Sequence, residues 1–128
     1  GNHIDALVNV VGGIVGRKLV TEQDETWYDF LMDVNMRSVF LCTREAVPYM
    51  SAGSTIVNFS SLAARDGGGP GASMYATAKG AVMTYTRAMA KELGPKRISS
   101  RHNSYIIPRS LQYTRKQRTT ESHICPPS

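Results

Sequence analysis

The sequence predicts an α/β fold built on a parallel sheet. Two short β-branched apolar runs, residues 4–11 and 55–59, end in Gly12-Gly13 and Ser60-Ser61 respectively. A long helical pattern over residues 22–50 separates them, and a second follows over residues 72–93. Continuous apolar runs, unlike alternating ones, fit strands buried on both faces of a parallel sheet. Open sheets of this kind bind ligands beyond the carboxyl ends of their strands, so the residues that close each run are the first candidates for chemistry.

The elements follow in order. Glycines after Val11 let the backbone approach a ligand closely, and Ile14 to Leu19 reads as a loop on that side. Thr21-Glu22-Gln23-Asp24 resembles a helix start, with Thr21 as N-cap and acidic residues in the first turn. Trp27, Phe30, Leu31 and Val34 recur at helical spacing. The helix is expected from Glu22 to Met50, broken or kinked near Asn35, with Pro48 in its last turn. Ser51 to Ser54 is a turn and Thr55–Phe59 the second strand; Gly67 to Gly71 is a flexible loop. A helix rich in alanine and methionine then runs from Ala72 to Leu93, with Met74, Met83 and Met89 as packing residues.

Two polar features need a reason. Asn35 lies in an apolar stretch, and a buried amide must find partners. Tyr75 and Lys79 are four residues apart at the start of the last helix, hence on one face. A phenol titrates near ~10 and is a poor acid or base at neutral pH, but a fixed positive charge nearby favours the phenolate. Such a pair can exchange a proton with a substrate oxygen. Ser61, at the carboxyl end of the second run, could bond the same oxygen, with Ser60 as the alternative.

Ser61, a glycine-rich loop, then Tyr75-Ala-Thr-Ala-Lys79 resembles the serine, tyrosine and lysine pattern of the short-chain dehydrogenase/reductase family. Three more stretches resemble that family. Ile4 to Gly13 is similar to its strand ending in Asn-Asn-Ala-Gly, with Val10 and Val11 replacing the second asparagine and the alanine. Val34-Asn35-Met36-Arg37-Ser38-Val39-Phe40 is similar to the segment carrying its active-site asparagine, and Met83 to Pro95 to the end of its catalytic helix.

The resemblance implies a Rossmann-like, doubly wound sheet and an oxidoreductase using NAD or NADP on a small carbonyl or secondary alcohol, of 3-oxoacyl or sugar type. It implies Asn35, Ser61, Tyr75 and Lys79 as the catalytic set. Asn9, Val11, Gly12, Tyr75 and Lys79 are then the cofactor-binding residues. In the family the asparagine distorts its helix and a water on its carbonyl continues the proton relay. Family members pair their long helices, so a homo-oligomer is implied. No glycine-rich pyrophosphate turn precedes the first run, so residues 1–96 resemble a middle portion beginning at the family's fourth strand. Both strands would then carry unpaired edges. A truncated, non-catalytic remnant that only self-associates is the alternative reading.

After Lys96 the family would continue with a strand and a Pro-Gly turn; residues 97–128 read instead as a basic, disordered tail without such a strand. Residues 1–96 hold nine Lys/Arg and nine Asp/Glu, so the net charge of +5 comes from the tail. That distribution gives no argument for nucleic acid. No apolar run approaches the roughly 20 residues of a membrane span. Cys42 and Cys125 make no disulfide framework, and a reducing, cytoplasmic setting is expected. His102 and His123 lack a metal-ligand arrangement, and no metal is assigned.

Overall fold

The structure is a computed structural model and describes residues 1–104. Strands β1 (Ala6–Asn9), β2 (Thr55–Phe59) and β3 (Ser99–Asn103) form a parallel sheet in the order β1-β2-β3. Their register aligns Leu7 with Ile56 and Ser100, and Asn9 with Asn58 and His102. Between β1 and β2 run α1 (Glu25–Met32), a π-helical turn (Asp33–Arg37), α2 (Ser38–Ala46) and a 3-10 turn (Val47–Tyr49) that contains Pro48. After β2 come a short α3 (Ala63–Asp66) and the long α4 (Ser73–Leu93).

Side chains alternate along β2, and that alternation sorts the chemistry. Ile56, Asn58 and Ser60 lie on the covered face and are buried, whereas Thr55, Val57 and Phe59 on the other face are half-buried. At the amino end of the sheet Ile56 joins Ala46, Met50, Leu93 and Ile98 in an apolar core, with Ile4, Leu7, Val47 and Met89 against it. Burying a side chain of that size contributes about 1.5–3 kcal/mol, so this end anchors α2 and α4. One step on, Asn58 carries a buried polar chain. Its amide accepts from Asn9 Nδ2 at 2.8 Å and donates to Thr86 Oγ1 at 2.9 Å, and Thr86 donates to the Val82 carbonyl at 2.7 Å. Apolar packing thus gives way to polar bonds, and then to Lys79, as the covered face is followed towards the strands' carboxyl ends.

Four expectations change. The sequence predicts no strand beyond Lys96, yet β3 pairs with β2 through residues 99–103. It is polar on both faces, with Ser99, Arg101 and Asn103 on the less covered one and Ser100 and His102 on the other, so the backbone ladder rather than apolar content makes the strand. The rest of the expected tail, from residue 105, lies outside the described residues. β2, expected to have an unpaired edge, is interior. β1 is not buried on both faces: Val8 and Val10 are 54% and 67% exposed, because the described helices cover one face only. The N-cap of α1 is Asp24, which accepts from Trp27 N at 2.8 Å, while Thr21 sits in a 3-10 turn (Val20–Glu22). An aspartate is the stronger cap and its charge suits the helix dipole.

Candidate active site

The carboxyl ends of β1 and β2 meet the first turns of α4, and Lys79 is what joins them. α4 presents Tyr75, Lys79, Val82 and Thr86 at intervals of three and four, so one stripe of the helix lies on the sheet. Lys79 is buried, and its Nζ donates to the Val11 carbonyl at 2.9 Å and the Phe59 carbonyl at 3.1 Å. Burial disfavours the ammonium and lowers the Lys79 pKa from its ordinary value. Two carbonyl dipoles offset part of that cost. They use two of three ammonium protons, and among the described residues none takes the third.

The same loop holds Asn35. The π-helical turn widens the chain between α1 and α2 at this residue, which is completely buried. Its Nδ2 donates to Leu31 O at 2.9 Å and to Gly13 O at 3.1 Å. Asn35 Oδ1 is buried and has no partner among the described residues. It abuts Gly12, whose φ of +90° suits glycine, and a Cβ there would overlap Oδ1. Val11, Gly12 and Gly13 therefore tie Lys79 to Asn35 through consecutive residues.

The two serines differ in what their hydroxyls do. Ser60 is buried and donates to the Lys79 carbonyl at 2.8 Å. Ser61 is half-buried and accepts from Ala63 N at 3.2 Å, so its proton is free to be given. Tyr75 is half-buried on the first turn of α4, one turn before Lys79. Asn9 lies apart from this group, with its amide bonded to Asn58 across the sheet.

Sequence reasoning missed two supports of the site. One is the Asn9–Asn58–Thr86 chain, whose signal was an asparagine inside the apolar run of β2. The other is the loop carrying Arg17, Lys18 and Gln23, which is bonded to the glycine-rich segment before Tyr75. That segment, expected as a flexible loop, is tied down: Gly67, Gly68, Gly69 and Gly71 all take positive φ, and the carbonyls of Gly68, Gly69, Pro70 and Gly71 are bonded.

The family described as enoyl-(acyl carrier protein) reductase matches residues 1–105. A short-chain reductase protein of Streptomyces niveus is 43% identical over 95 residues, covering 73% of this chain and 35% of its own length. A 3-oxoacyl-acyl-carrier-protein reductase of Thermotoga maritima is 39% identical over 98 residues, covering 75% and 39%. Among solved structures, the NADH-dependent reductase A1-R' complexed with NAD superposes with a TM-score of 0.74 at 36% identity, over 80% of this chain and 44% of that one. A short-chain dehydrogenase of Burkholderia cenocepacia in complex with NADP gives 0.73 at 28% identity, over 78% and 40%. The chain thus spans less than half the length of these relatives.

Proposed function

Since this chain belongs to the short-chain dehydrogenase/reductase family, we propose that it contributes the proton-transfer half of a nicotinamide-dependent oxidoreductase site. That site interconverts a carbonyl and a secondary alcohol. The observation that carries this reading is Lys79: a buried ammonium, fixed by Val11 O and Phe59 O, one helical turn from a tyrosine. The substrate class follows the relatives, among them a 3-oxoacyl reductase and a cyclopentanol dehydrogenase 38% identical over 109 residues.

The residues fit a nicotinamide nucleotide. Lys79 keeps one N–H for a ribose hydroxyl, and Gly12, with no Cβ, lets its backbone pack against Asn35 beside that ammonium. Bound there, the nicotinamide supplies the hydride in reduction and takes it up in oxidation. Tyr75 gives its phenolic proton to the substrate oxygen as the carbonyl is reduced, and accepts it back in the reverse direction. Ser61 hydrogen-bonds the same oxygen through its hydroxyl, keeping its proton, and orients the carbonyl. Lys79 holds positive charge beside Tyr75 while the phenol proton is in transit, which favours the transfer electrostatically. Asn35, tied to Gly13, fixes the loop behind Lys79 and continues the proton path outward. We place the protein in the cytoplasm, and its self-association at the groove between α2 and α4 that Phe40, Tyr85 and Met89 line.

Tyr75→Phe tests the assignment. Turnover of a 3-oxoacyl thioester with NADH or NADPH falls by at least about a hundredfold, as expected for loss of a general acid. The dissociation constant for the nucleotide rises by no more than about tenfold, the worth of a single neutral hydrogen bond. Undiminished turnover removes Tyr75 from the mechanism.

A further inference from the structure

Two loops flank the candidate site, and neither is explained by the residues that perform the chemistry. The first follows β1 and runs to Leu19; the second is the glycine segment Gly67–Gly71 between Ser61 and Tyr75. Arg17 joins them. Its Nη1 donates to the Pro70 carbonyl at 2.9 Å and the Gly68 carbonyl at 3.2 Å. Lys18 N donates to the Gly71 carbonyl at 3.2 Å. Gln23 Nε2 bonds the Lys18 carbonyl and the Ser73 hydroxyl, both at 2.8 Å, which carries the join onto the first residue of α4. Lys18 is held in turn by its ammonium over the Trp27 ring, 4.7 Å from the centroid.

The glycine segment is shaped to this contact. Gly71 has φ of +80°, and a Cβ there would come within 2.8 Å of Arg17 Cβ. Gly68, at φ +72°, is equally close to Ala63 Cβ in α3. A run of glycines is expected to be mobile, because glycine loses more freedom on ordering than any other residue. Here three of its carbonyls, Gly68, Pro70 and Gly71, are bonded from the opposite loop, two by a guanidinium. Charge-assisted bonds of this kind are the stronger class.

The geometry points to Arg17 as a positioning residue. It clasps Gly67–Gly71 to the loop after β1, and so fixes the connection between Ser61, which precedes α3, and Tyr75, four residues beyond Gly71. Arg17 acts through these residues and touches no reacting atom. The inference rests on the proposed oxidoreductase reading for its catalytic consequence, and on hydrogen-bond geometry alone for the clasp.

The test compares the full 128-residue chain with its Arg17→Ala and Arg17→Lys variants. Amide hydrogen exchange is followed by mass spectrometry, and turnover of a 3-oxoacyl thioester is measured with NADH and with NADPH. Arg17→Ala is expected to speed exchange about tenfold in peptides covering residues 62–77, as loss of a charge-assisted bond would. Peptides of residues 82–93 should be unchanged. kcat falls about tenfold at unaltered KM for NADH, since misplacement costs rate rather than nucleotide binding. Arg17→Lys restores both in part, because an ammonium replaces the charge but not the fork. Unchanged exchange in residues 62–77 overturns the clasp, as does faster exchange spread equally over α4, which would mark a general loss of stability. Local exchange that responds without any effect on kcat overturns the positioning role. Local exchange that responds in a chain showing no turnover at all leaves the clasp standing and counts against the oxidoreductase reading instead.

Discussion

Asn58 shows how one residue links the sheet to the helix that carries the candidate site. It is completely buried, accepts from Asn9 and donates to Thr86. Replacing it with alanine leaves Asn9 Nδ2 and Thr86 Oγ1 short of a partner in a dry environment. Each unsatisfied group costs about 1–3 kcal/mol, so Asn58→Ala is expected to lower the urea midpoint markedly at an unchanged slope. A shift close to zero would show that water replaces the amide. The sequence made Asn58 visible as a polar residue in an apolar run, but not its partners: Asn9 and Thr86 lie 49 and 28 residues away. Local pattern reading has no access to such separations. Ser60 and Ser61 make the same point, since they are equivalent as letters, yet Ser60 is buried and donates to the Lys79 carbonyl whereas Ser61 is half-buried and accepts from Ala63 N.

Among the elements, α4 was the most legible, expected from residue 72 and found from Ser73 to Leu93. Its apolar and small residues repeat over nearly six turns, which is long enough for periodicity to decide. β2 was found at its expected bounds because Ser51–Ser54 and Ser60-Ser61 punctuate it. The break at Asn35 was expected, and it takes the form of a π-helical turn. β3 was not read, because Ser-Ser-Arg-His-Asn carries no apolar signal and owes its conformation to the β2 ladder. The junction of α4 with the sheet gives a pH signature. Burial holds the Lys79 pKa below its ordinary 10.5, so the folded chain loses this proton at lower pH than the unfolded chain does. Across the window between the depressed value and 10.5 the unfolded state binds more protons, and stability rises with pH; below that window Lys79 is charged in both states and the burial cost is constant. Lys79→Met, which removes the titration, is expected to flatten that rise in denaturant titrations carried up to pH 10.5. Parallel profiles for the two proteins would mean that Lys79 is solvated.

At the scale of the molecule, an apolar core at the amino ends of the strands fixes α2 and α4. A buried amide chain crosses the middle, and one buried ammonium closes the carboxyl end. The opposite face of the sheet is less covered, with Val8 exposed and Val57 and Phe59 half-buried. The family relatives are more than twice as long as the matched region. What this arrangement is for turns on whether it takes up a nicotinamide nucleotide. Titration of the folded chain with NADH and, separately, with NADPH, followed by nicotinamide fluorescence, measures this directly. Saturable binding, lost in Lys79→Met, is the predicted result. No change in fluorescence from a chain that is folded by circular dichroism would contradict the assignment of a nucleotide site to Lys79 and Gly12.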